Sequence, residues 1–435
     1  MARGFFPLDE ELQLLPGKFT PTVVESMVRL GAWMPFTSAA RMIDHFTKVT
    51  VSEPKVRRTT EGAGRAYVEA QTAEVERLHK EMPESPEGPA VQQLSVDGAM
   101  VPLLRGRWAE VKTLAIGTVS PHRLEQDCAG TMKGETDKGR LEAQTEEISY
   151  FSRMADHETF ARLALVETYR RGTEKAGTVC GVNDGADWEQ GFMDYHRPDA
   201  VRILDWGHAS EYVAKAGQAV FGVGTAETSE WVGEKLHELK HEDPERVLAA
   251  LRQLREAVPC RVEEGKREAA LKVIAESLQY LEKRREQIRY TEFIRRGYPI
   301  GSGMVESANK LVVEARLKGS GMHWGDEHVN PMLALRNVVC SDRWDEAWAR
   351  IGEQLRQRAR ERKAGLRAEC AKNAGLGEKA RQEVVVETVP DPEATLIAAK
   401  TQSSPRATKG STTTAGPRRP SEHHPWRHMP IGRPR

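Results

Sequence analysis

The chain has 435 residues, 64 of them basic and 64 acidic, and 39% are hydrophobic, which is enough for two or three domains with modest cores. No apolar run approaches the roughly 18 residues of a membrane span, and the N-terminal MARGFFPLDEEL turns acidic too soon for a secretory signal. The five cysteines form no CxxC pair, which argues against a zinc ribbon or a disulfide framework, and the zero net charge leaves nucleic-acid binding to local clusters.

The N-terminal region, residues 1–90, is predicted to be helical. The segment TSAARMIDHFTK is amphipathic at helical spacing, with candidate core positions at Ala40, Ile43 and Phe46. A turn at 49–51 separates it from a second helix that is capped at Ser52 and runs toward Lys80. The start of this second helix carries a basic cluster: Lys55, Arg57 and Arg58. Such an arrangement is helix-turn-helix-like and predicts DNA binding, with an ordinary helical hairpin as the alternative.

The middle of the chain alternates strand and helix patterns. Strands are predicted over 94–100, 111–120, 148–154, 178–184 and 200–206, helices over 156–172 and 187–196, and a polar loop or lid over 121–147. The order strand, strand, strand, helix, strand, helix, strand is that of the RNase H-like fold, an α/β mixed sheet whose first and fourth strands are neighbours. The sequence therefore predicts an RNase H-like core.

Two aspartates stand out in this order. Asp97 lies on the first predicted strand and Asp184 ends the fourth, so the fold would bring them close together. Two carboxylates a few ångströms apart repel each other, and a divalent cation such as Mg²⁺ or Mn²⁺ compensates that repulsion. Asp205, at the end of the fifth strand in LDWGHASEY, is the competing second carboxylate. Asp184 is preferred because the fourth-strand position faces Asp97.

Helix patterns replace strands between residues 210 and 296. In the longest of them, the apolar positions keep helical spacing at Leu271, Ile274, Leu278 and Leu281. This pattern predicts an all-α insertion over 208–297, with an independent helical domain as the alternative.

A glycine-rich block, GYPIGSGMVESANKLVVEARLKGSGMHW, follows at 297–324. Ser302 is a plausible N-cap of a helix, and the predicted core face of that helix comprises Val305, Ala308, Leu311, Val312 and Ala315. Glu306 lies in the first turn, and Lys310, four residues on, shares its face. A carboxylate at a helix start is commonly a partner of the helix dipole. The functional interpretation of Glu306 therefore depends on the two upstream aspartates.

The strings YPIGSGMVESANKLVVEARLKGSGMHW, LSVDGAM and ILDWGHASEY resemble those of insertion-sequence transposases of the ISKra type. The resemblance runs from Gly4 to about Trp348, and HHPWR recurs near the end. It implies a DDE transposase with an RNase H-like core, which cleaves and transfers DNA strands of a mobile element in DNA recombination. Asp97, Asp184 and Glu306 would be its catalytic DDE residues and would hold two Mg²⁺ ions about 3.5–4 Å apart.

The resemblance also implies the partners, which are double-stranded DNA of the transposon ends and target and further copies of the chain on that DNA. Near the carboxylates, phosphate contacts are expected from three cations: Lys310, Arg316 and Lys318. His208 is expected to contact DNA or to orient the site, with a solvent-facing position as the alternative. Trp324 could stack on an unpaired base, although an aromatic residue beside a glycine turn commonly packs in a core.

The predicted boundaries follow from these segments. The core would comprise 91–207 and 298–340, followed by a C-terminal helix over 341–371 and a disordered basic tail over 372–435. Relatives of this type carry a cysteine-rich segment before a string like GFFPLDEEL, so the chain is expected to be N-terminally truncated. The predicted location is the bacterial cytoplasm, with association to the nucleoid during action, and no membrane partner is expected.

Three rival interpretations remain open at this point. The first is a catalytically inactive, DNA-binding transposase remnant. The second is an RNase H-like, structure-selective nuclease without strand transfer. The third is a helical assembly protein in which the three carboxylates are incidental.

Overall fold

A five-stranded mixed sheet forms the centre of the computed structural model, which describes residues 18–123 and 141–385. The strand order is β3-β2-β1-β4-β5. Strands β1, β2 and β3 pair antiparallel, and β4 and β5 run parallel to β1. The strands are β1 (Val91–Pro102), β2 (Trp108–Arg123), β3 (Leu141–Arg153), β4 (Thr178–Asn183) and β5 (Val201–Leu204). The predicted mixed α/β sheet and the pairing of its first and fourth strands are confirmed.

Helices make up most of the rest of the described chain. Before and between the strands lie α1 (Pro21–Trp33), α2 (Phe36–Thr47), α3 (Glu53–Glu81), α4 (His157–Arg170) and α5 (Asp187–His196). After β5 come α6 (Trp206–Phe221), α7 (Ala226–His241), α8 (Pro244–Arg261), α9 (Glu264–Lys283) and α10 (Tyr290–Arg295). The later helices are α11 (Gly303–Ala308), α12 (Ala315–Leu317), α13 (Asp326–Cys340) and α14 (Trp344–Val385).

The alternation of side chains along β1 assigns its two faces. Leu94 and Val96 pack in a cluster with Phe160 of α4 and Phe192 of α5. The alternate residues of β1, from Ser95 to Val101, face the other side of the sheet, where Val101 shares a cluster with Val312. Because successive side chains of a strand point to opposite faces, Asp97 lies on the face that the segment after α10 covers.

The N-terminal helices share a core with α13 and the first turns of α14. Val28 of α1 and Tyr67 of α3 cluster with Leu335 of α13 and Trp344 of α14. Gly64 lies directly against the main chain of α13, where an added Cβ would come 2.3 Å from the carbonyl oxygen of Pro331. The helices of the predicted region 1–90 are therefore packed onto the body of the protein.

The two helices predicted as helix-turn-helix-like are present, with one difference in their core. Ala40 and Ile43 of α2 are buried, as predicted, but Phe46 is 69% exposed. The prediction that Phe46 is a core residue is wrong: it lies in the last turn of α2, one residue before the helix ends at Thr47, and its ring contacts the His45 ring at the surface.

The predicted all-α segment packs on β4 and β5. Its buried residues include Ile274, Leu278 and Leu281, three of the four positions predicted from helical spacing, and they join one cluster with Val182 and Ile203. Leu271 packs against the same cluster while partly exposed. The helices α6 to α9 are therefore anchored on the sheet by apolar contacts.

The helix of the glycine-rich block is interrupted by a π-helical segment, Asn309–Glu314, between α11 and α12. We call the whole run the 303–317 helix. A π-helical turn inserts one residue and rotates the helix face that follows. Val305, Ala308 and Val312 are buried as predicted, but Leu311 and Ala315 are exposed, and the buried face continues through Val313, Arg316 and Leu317.

A buried arginine of α13 supports this π-helical segment. Arg336 is 1% exposed. Its guanidinium donates to the main-chain carbonyl groups of Leu311 and Val312. Carbonyl groups at a π-helical turn lack the regular helix partner, and a buried carbonyl without a partner is costly. Arg336 therefore stabilises the interruption that determines which residues of this helix face β1.

Several expectations concern residues outside the described chain. These are the string GFFPLDEEL, most of the 121–147 loop, and the tail from residue 386 on. Helix α14 runs from Trp344 to Val385, past the predicted helix end at Ala371. Across the described residues, none of the helices is both long and apolar enough to cross a membrane.

His196 should make stability depend on pH. Its Nε2 donates to the Ala161 carbonyl at 2.9 Å, and burial lowers the pKa of His196 from 6.5 to about 4. A buried histidine that stays neutral is protonated more readily in the unfolded chain, so stability should fall as pH drops from about 6.5 to about 4, by up to about 3 kcal/mol. Denaturant unfolding of wild type and His196→Gln across this pH range measures the difference. The exposed His157→Gln is the control, and equal pH profiles for all three proteins would contradict the assignment.

Candidate functional site

Asp97 and Asp184 meet where β1 and β4 run side by side. The parallel register pairs Leu94 with Gly181, and its continuation by three residues places Asp97 beside Asp184. The Asn183 side chain holds the strands together here, because its Oδ1 accepts from the Val96 N–H at 2.7 Å. Burial, followed by the Asp184 charge, raises the pKa of Asp97. The structure thus brings these two predicted residues together.

Asp97 is also held by Asn309, which the sequence analysis did not select. Asn309 Nδ2 donates to Asp97 Oδ2 at 2.8 Å, and the Gly98 N–H donates to Asp97 Oδ1 at 2.6 Å. Asn309 is 6% exposed, and its Oδ1 has no hydrogen-bond partner among the described residues. A buried amide oxygen without a partner is costly. The one signal in the sequence is the spacing Glu306-x-x-Asn309, which places both residues on one side of a helix.

Asp184 has a second carboxyl group beside it, Glu189 in the first turn of α5. Glu189 is 1% exposed, and its Oε2 accepts from the Gly185 N–H at 2.9 Å and the Ala186 N–H at 3.1 Å. Burial, and then the hydrogen bond and charge of Asp184, raise the pKa of Glu189 to about 10. The raised pKa favours the neutral form of Glu189 beside Asp184. Sequence reasoning missed it because a glutamate in a first helical turn is an ordinary capping residue.

Glu306 lies in α11, one turn before Asn309, and its side chain is exposed. Across residues 18–123 and 141–385, no three His, Cys, Asp or Glu side chains lie close enough to hold a metal ion together. The expectation that Glu306 joins Asp97 and Asp184 as a metal ligand stays a prediction. Asp97 and Asp184 are neighbours, but the residue of the 303–317 helix that contacts Asp97 is Asn309 and not Glu306.

Asp205, the competing second carboxylate, connects two elements of the site. It is 4% exposed, and its Oδ2 accepts from the His208 N–H at 2.9 Å as the N-cap of α6. Its Oδ1 accepts from the Ser302 N–H at 2.6 Å, at the start of the 303–317 helix. Both oxygens are thus engaged by main-chain donors, whereas Asp184 lies beside Asp97. His208 is half-buried and near enough for its charge to interact with Asp97.

The expected DNA contacts after Glu306 divide into two groups. Lys310 is exposed, and Lys318 is partly exposed, with its Nζ 2.7 Å from Glu314 Oε1. Arg316 and Trp324 are 2% and 7% exposed. The expectation that these two contact DNA is corrected, because both side chains belong to the core. The guanidinium of Arg316 lies over the rings of Phe36 and Trp324 and donates to the Gly31 carbonyl at 3.0 Å.

The basic cluster of α3 lies at the surface. Arg57 and Arg58 are exposed, and Lys55 is partly exposed, with its Nζ 5.5 Å from the ring centroid of Phe19. All three stay available to an outside partner, so the expectation of a DNA contact remains a prediction.

Comparison of the chain with models of known protein families gives no match. A search against curated proteins finds no match either.

Proposed function

We propose that this protein is a DDE-type transposase with an RNase H-like catalytic core, which cleaves and joins DNA strands of an insertion sequence. The observation that carries the proposal is the placement of Asp97 beside Asp184 on two parallel neighbouring strands, under a helix that contacts Asp97. The strand order β3-β2-β1-β4-β5, with three antiparallel and two parallel members, supports the fold. The resemblance over the glycine-rich block supports the reaction class.

The donor atoms of the site fit Mg²⁺ or Mn²⁺. Asp97 and Asp184 carry carboxylates whose mutual repulsion a cation would relieve, and Asn309 offers a buried amide oxygen that has no partner within 18–123 and 141–385. Oxygen atoms of these two kinds are the ligands that hard divalent cations prefer. When bound, such ions stabilise the attacking and leaving oxygens of a phosphoryl transfer. Asp97 and Asp184 would hold the metal, with Glu306 as the third ligand if DNA binding moves it toward them.

The other residues of the site hold and orient these groups. Asn309 fixes one oxygen of Asp97, and Glu189 binds the N–H groups of Gly185 and Ala186, which follow Asp184. Asp205 joins the start of the 303–317 helix to α6.

Lys310, exposed one turn beyond Glu306, is placed to neutralise a DNA phosphate. His208, near Asp97, and Lys318 are further candidate DNA contacts. The proposed partners are double-stranded DNA and further copies of the chain, in the bacterial cytoplasm at the nucleoid.

A cleavage assay tests the proposal. The protein is incubated with Mg²⁺ or Mn²⁺ and DNA that carries the sequences flanking its gene, and with shuffled DNA as the control. A transposase should nick the flanking sequences at fixed positions and join the free 3′-ends to target DNA. Cleavage that follows DNA structure in both substrates would favour a nuclease. Binding of the flanking DNA without cleavage in either metal would favour an inactive remnant.

The basic cluster of α3 should contribute to DNA affinity. Replacing Lys55, Arg57 and Arg58 together by Ala should weaken DNA binding. It should also make the plot of log affinity against log salt less steep by up to about three, because each phosphate contact that is lost releases about one counterion fewer. Fluorescence anisotropy at several salt concentrations measures this slope. Arg246, Lys266 and Lys272, replaced together by Ala, form a control with the same charge change on α8 and α9. Equal slopes in both triple variants would show that the α3 cluster is exposed to solvent and does not contact DNA phosphates.

A further inference from the structure

Two side chains at the end of α9 hold the loop that carries Asp184. The Tyr280 hydroxyl donates to the main-chain carbonyl of Asp184. Arg284, which follows α9, donates through Nη2 to the carbonyl of Gly185 at 2.5 Å. Both contacts reach main-chain carbonyl groups, so neither occupies a carboxylate oxygen of Asp184. Helix α9 belongs to the all-α segment, and the two contacts span 96 and 99 positions of the chain.

Tyr280 and Arg284 are themselves fixed in a column of stacked side chains. The Tyr280 ring stacks on Tyr212 of α6, with centroids 3.8 Å apart and an interplanar angle of 15°. The Arg284 guanidinium lies 3.8 Å from the centroid of Tyr280, and Lys215 Nζ lies 4.8 Å from that of Tyr212. Burial raises the pKa of Tyr280, so its hydroxyl remains a donor. Stacking of rings and cations restricts the rotamers of all four residues.

The loop is shaped to accept this contact. Gly185 has a φ of +86°, which favours glycine, and a Cβ there would lie 2.2 Å from Arg284 Nε. On its other side, the Gly185 and Ala186 N–H groups donate to Glu189, and the Ala186 N–H also donates to Asp184 Oδ1 at 2.8 Å. The main chain around Asp184 is thus bound by α9 on one side and by α5 on the other.

We propose that Tyr280 and Arg284 are positioning residues for Asp184, and that the all-α segment thereby controls the geometry of the site. The inference rests on the proposed function for its catalytic consequence. A ligand must lie within about 0.5 Å of its productive position, and a displacement of about 1 Å can cost about 10²-fold in rate. The all-α segment is anchored on the sheet by apolar residues such as Val182, Ile203 and Leu281. Removing the two polar contacts should therefore loosen the loop without detaching the helices.

Hydrogen exchange tests the positioning role without any catalysis. The full chain is compared as wild type, Tyr280→Phe and Tyr280→Phe combined with Arg284→Met. Amide exchange in the peptide that contains Gly185 and Ala186 should become at least about 10-fold faster in the double variant, while peptides of β1 and α9 keep their wild-type rates. Tyr212→Phe is the matched control, because it keeps the stack and its hydroxyl makes no hydrogen bond within the described residues. Unchanged exchange in the double variant overturns the inference.

The catalytic consequence is measured on the same proteins. The double variant should lose about 10- to 100-fold in cleavage rate at saturating DNA and need more Mg²⁺ for half its maximal rate, as expected for residues that orient a ligand. Arg284→Lys, which keeps a cation and a donor, should recover part of the loss. Faster exchange with unchanged cleavage and metal dependence would overturn the link to Asp184. Absence of cleavage in the wild type would count against the proposed function, while the exchange result would still decide the positioning role.

Discussion

Replacing Asp97 by Asn should abolish DNA strand cleavage while DNA binding is retained. Neutral Asn is a poor ligand for Mg²⁺, and the loss of about 4 kcal/mol of transition-state stabilisation corresponds to about 10³-fold in rate. The contacts proposed for DNA lie elsewhere, on α3 and at Lys310. Single-turnover cleavage and anisotropy on the same DNA measure the two effects separately. Asp199→Asn, a surface change next to Arg197, is the control and should cleave normally.

The same variant should fold at least as stably as the wild type. Burial and the Asp184 charge raise the pKa of Asp97 in the folded chain, so its ionised form destabilises the fold. For an acid with a raised folded pKa, this cost appears as pH rises through the unfolded value and is complete above the folded value. At neutral pH, Asp97→Asn removes it. A thermal melt at pH 7 should therefore give an equal or higher Tm, since functional sites commonly carry such destabilising groups. Cleavage by Asp97→Asn at the wild-type rate would show that Asp97 is not a catalytic ligand.

The sheet and its aspartate pair could be predicted because they follow from local patterns. Strand periodicity locates β1 and β4, and the order of elements implies that they are neighbours. With the parallel register, Asp97 and Asp184 then meet. The helical spacing that predicted Ile274, Leu278 and Leu281 as core residues depends in the same way on local sequence alone.

The residues that were missed or misassigned depend on contacts distant in sequence. Asn309 bonds Asp97 across 212 positions, and Arg316 bonds Gly31 across 285. The π-helical turn, which Arg336 stabilises, rotates Arg316 into the core and Ala315 out of it. An arginine in a basic stretch is usually exposed. Its burial here could not be predicted from spacing, because a regular helical period does not contain the extra residue.

Glu306 and Lys310 belong to one helix, but replacing Glu306 should lower the rate of cleavage, whereas replacing Lys310 should lower the affinity for DNA. Glu306→Gln removes the third proposed ligand, so cleavage should fall by about 10³-fold even at saturating DNA, while DNA binding survives. Lys310→Ala removes a phosphate contact, so binding should weaken and its salt slope should decrease by about one ion. Both side chains are exposed, which makes either replacement compatible with the fold. Glu276→Gln, on the exposed side of α9, is the matched control for the lost charge.

Cleavage as a function of DNA concentration separates the two roles. The Lys310→Ala rate should return to the wild-type value once DNA saturates the protein, because a weakened ground-state contact affects only occupancy. The Glu306→Gln rate should stay low at every DNA concentration, because its loss lies in the chemical step. The exposed position of Glu306 makes this comparison decisive, since the carboxylate must move toward Asp97 and Asp184 when DNA binds. Recovery of both variants at saturation would make Glu306 a helix-dipole partner only, and the site would then consist of Asp97, Asp184 and Asn309.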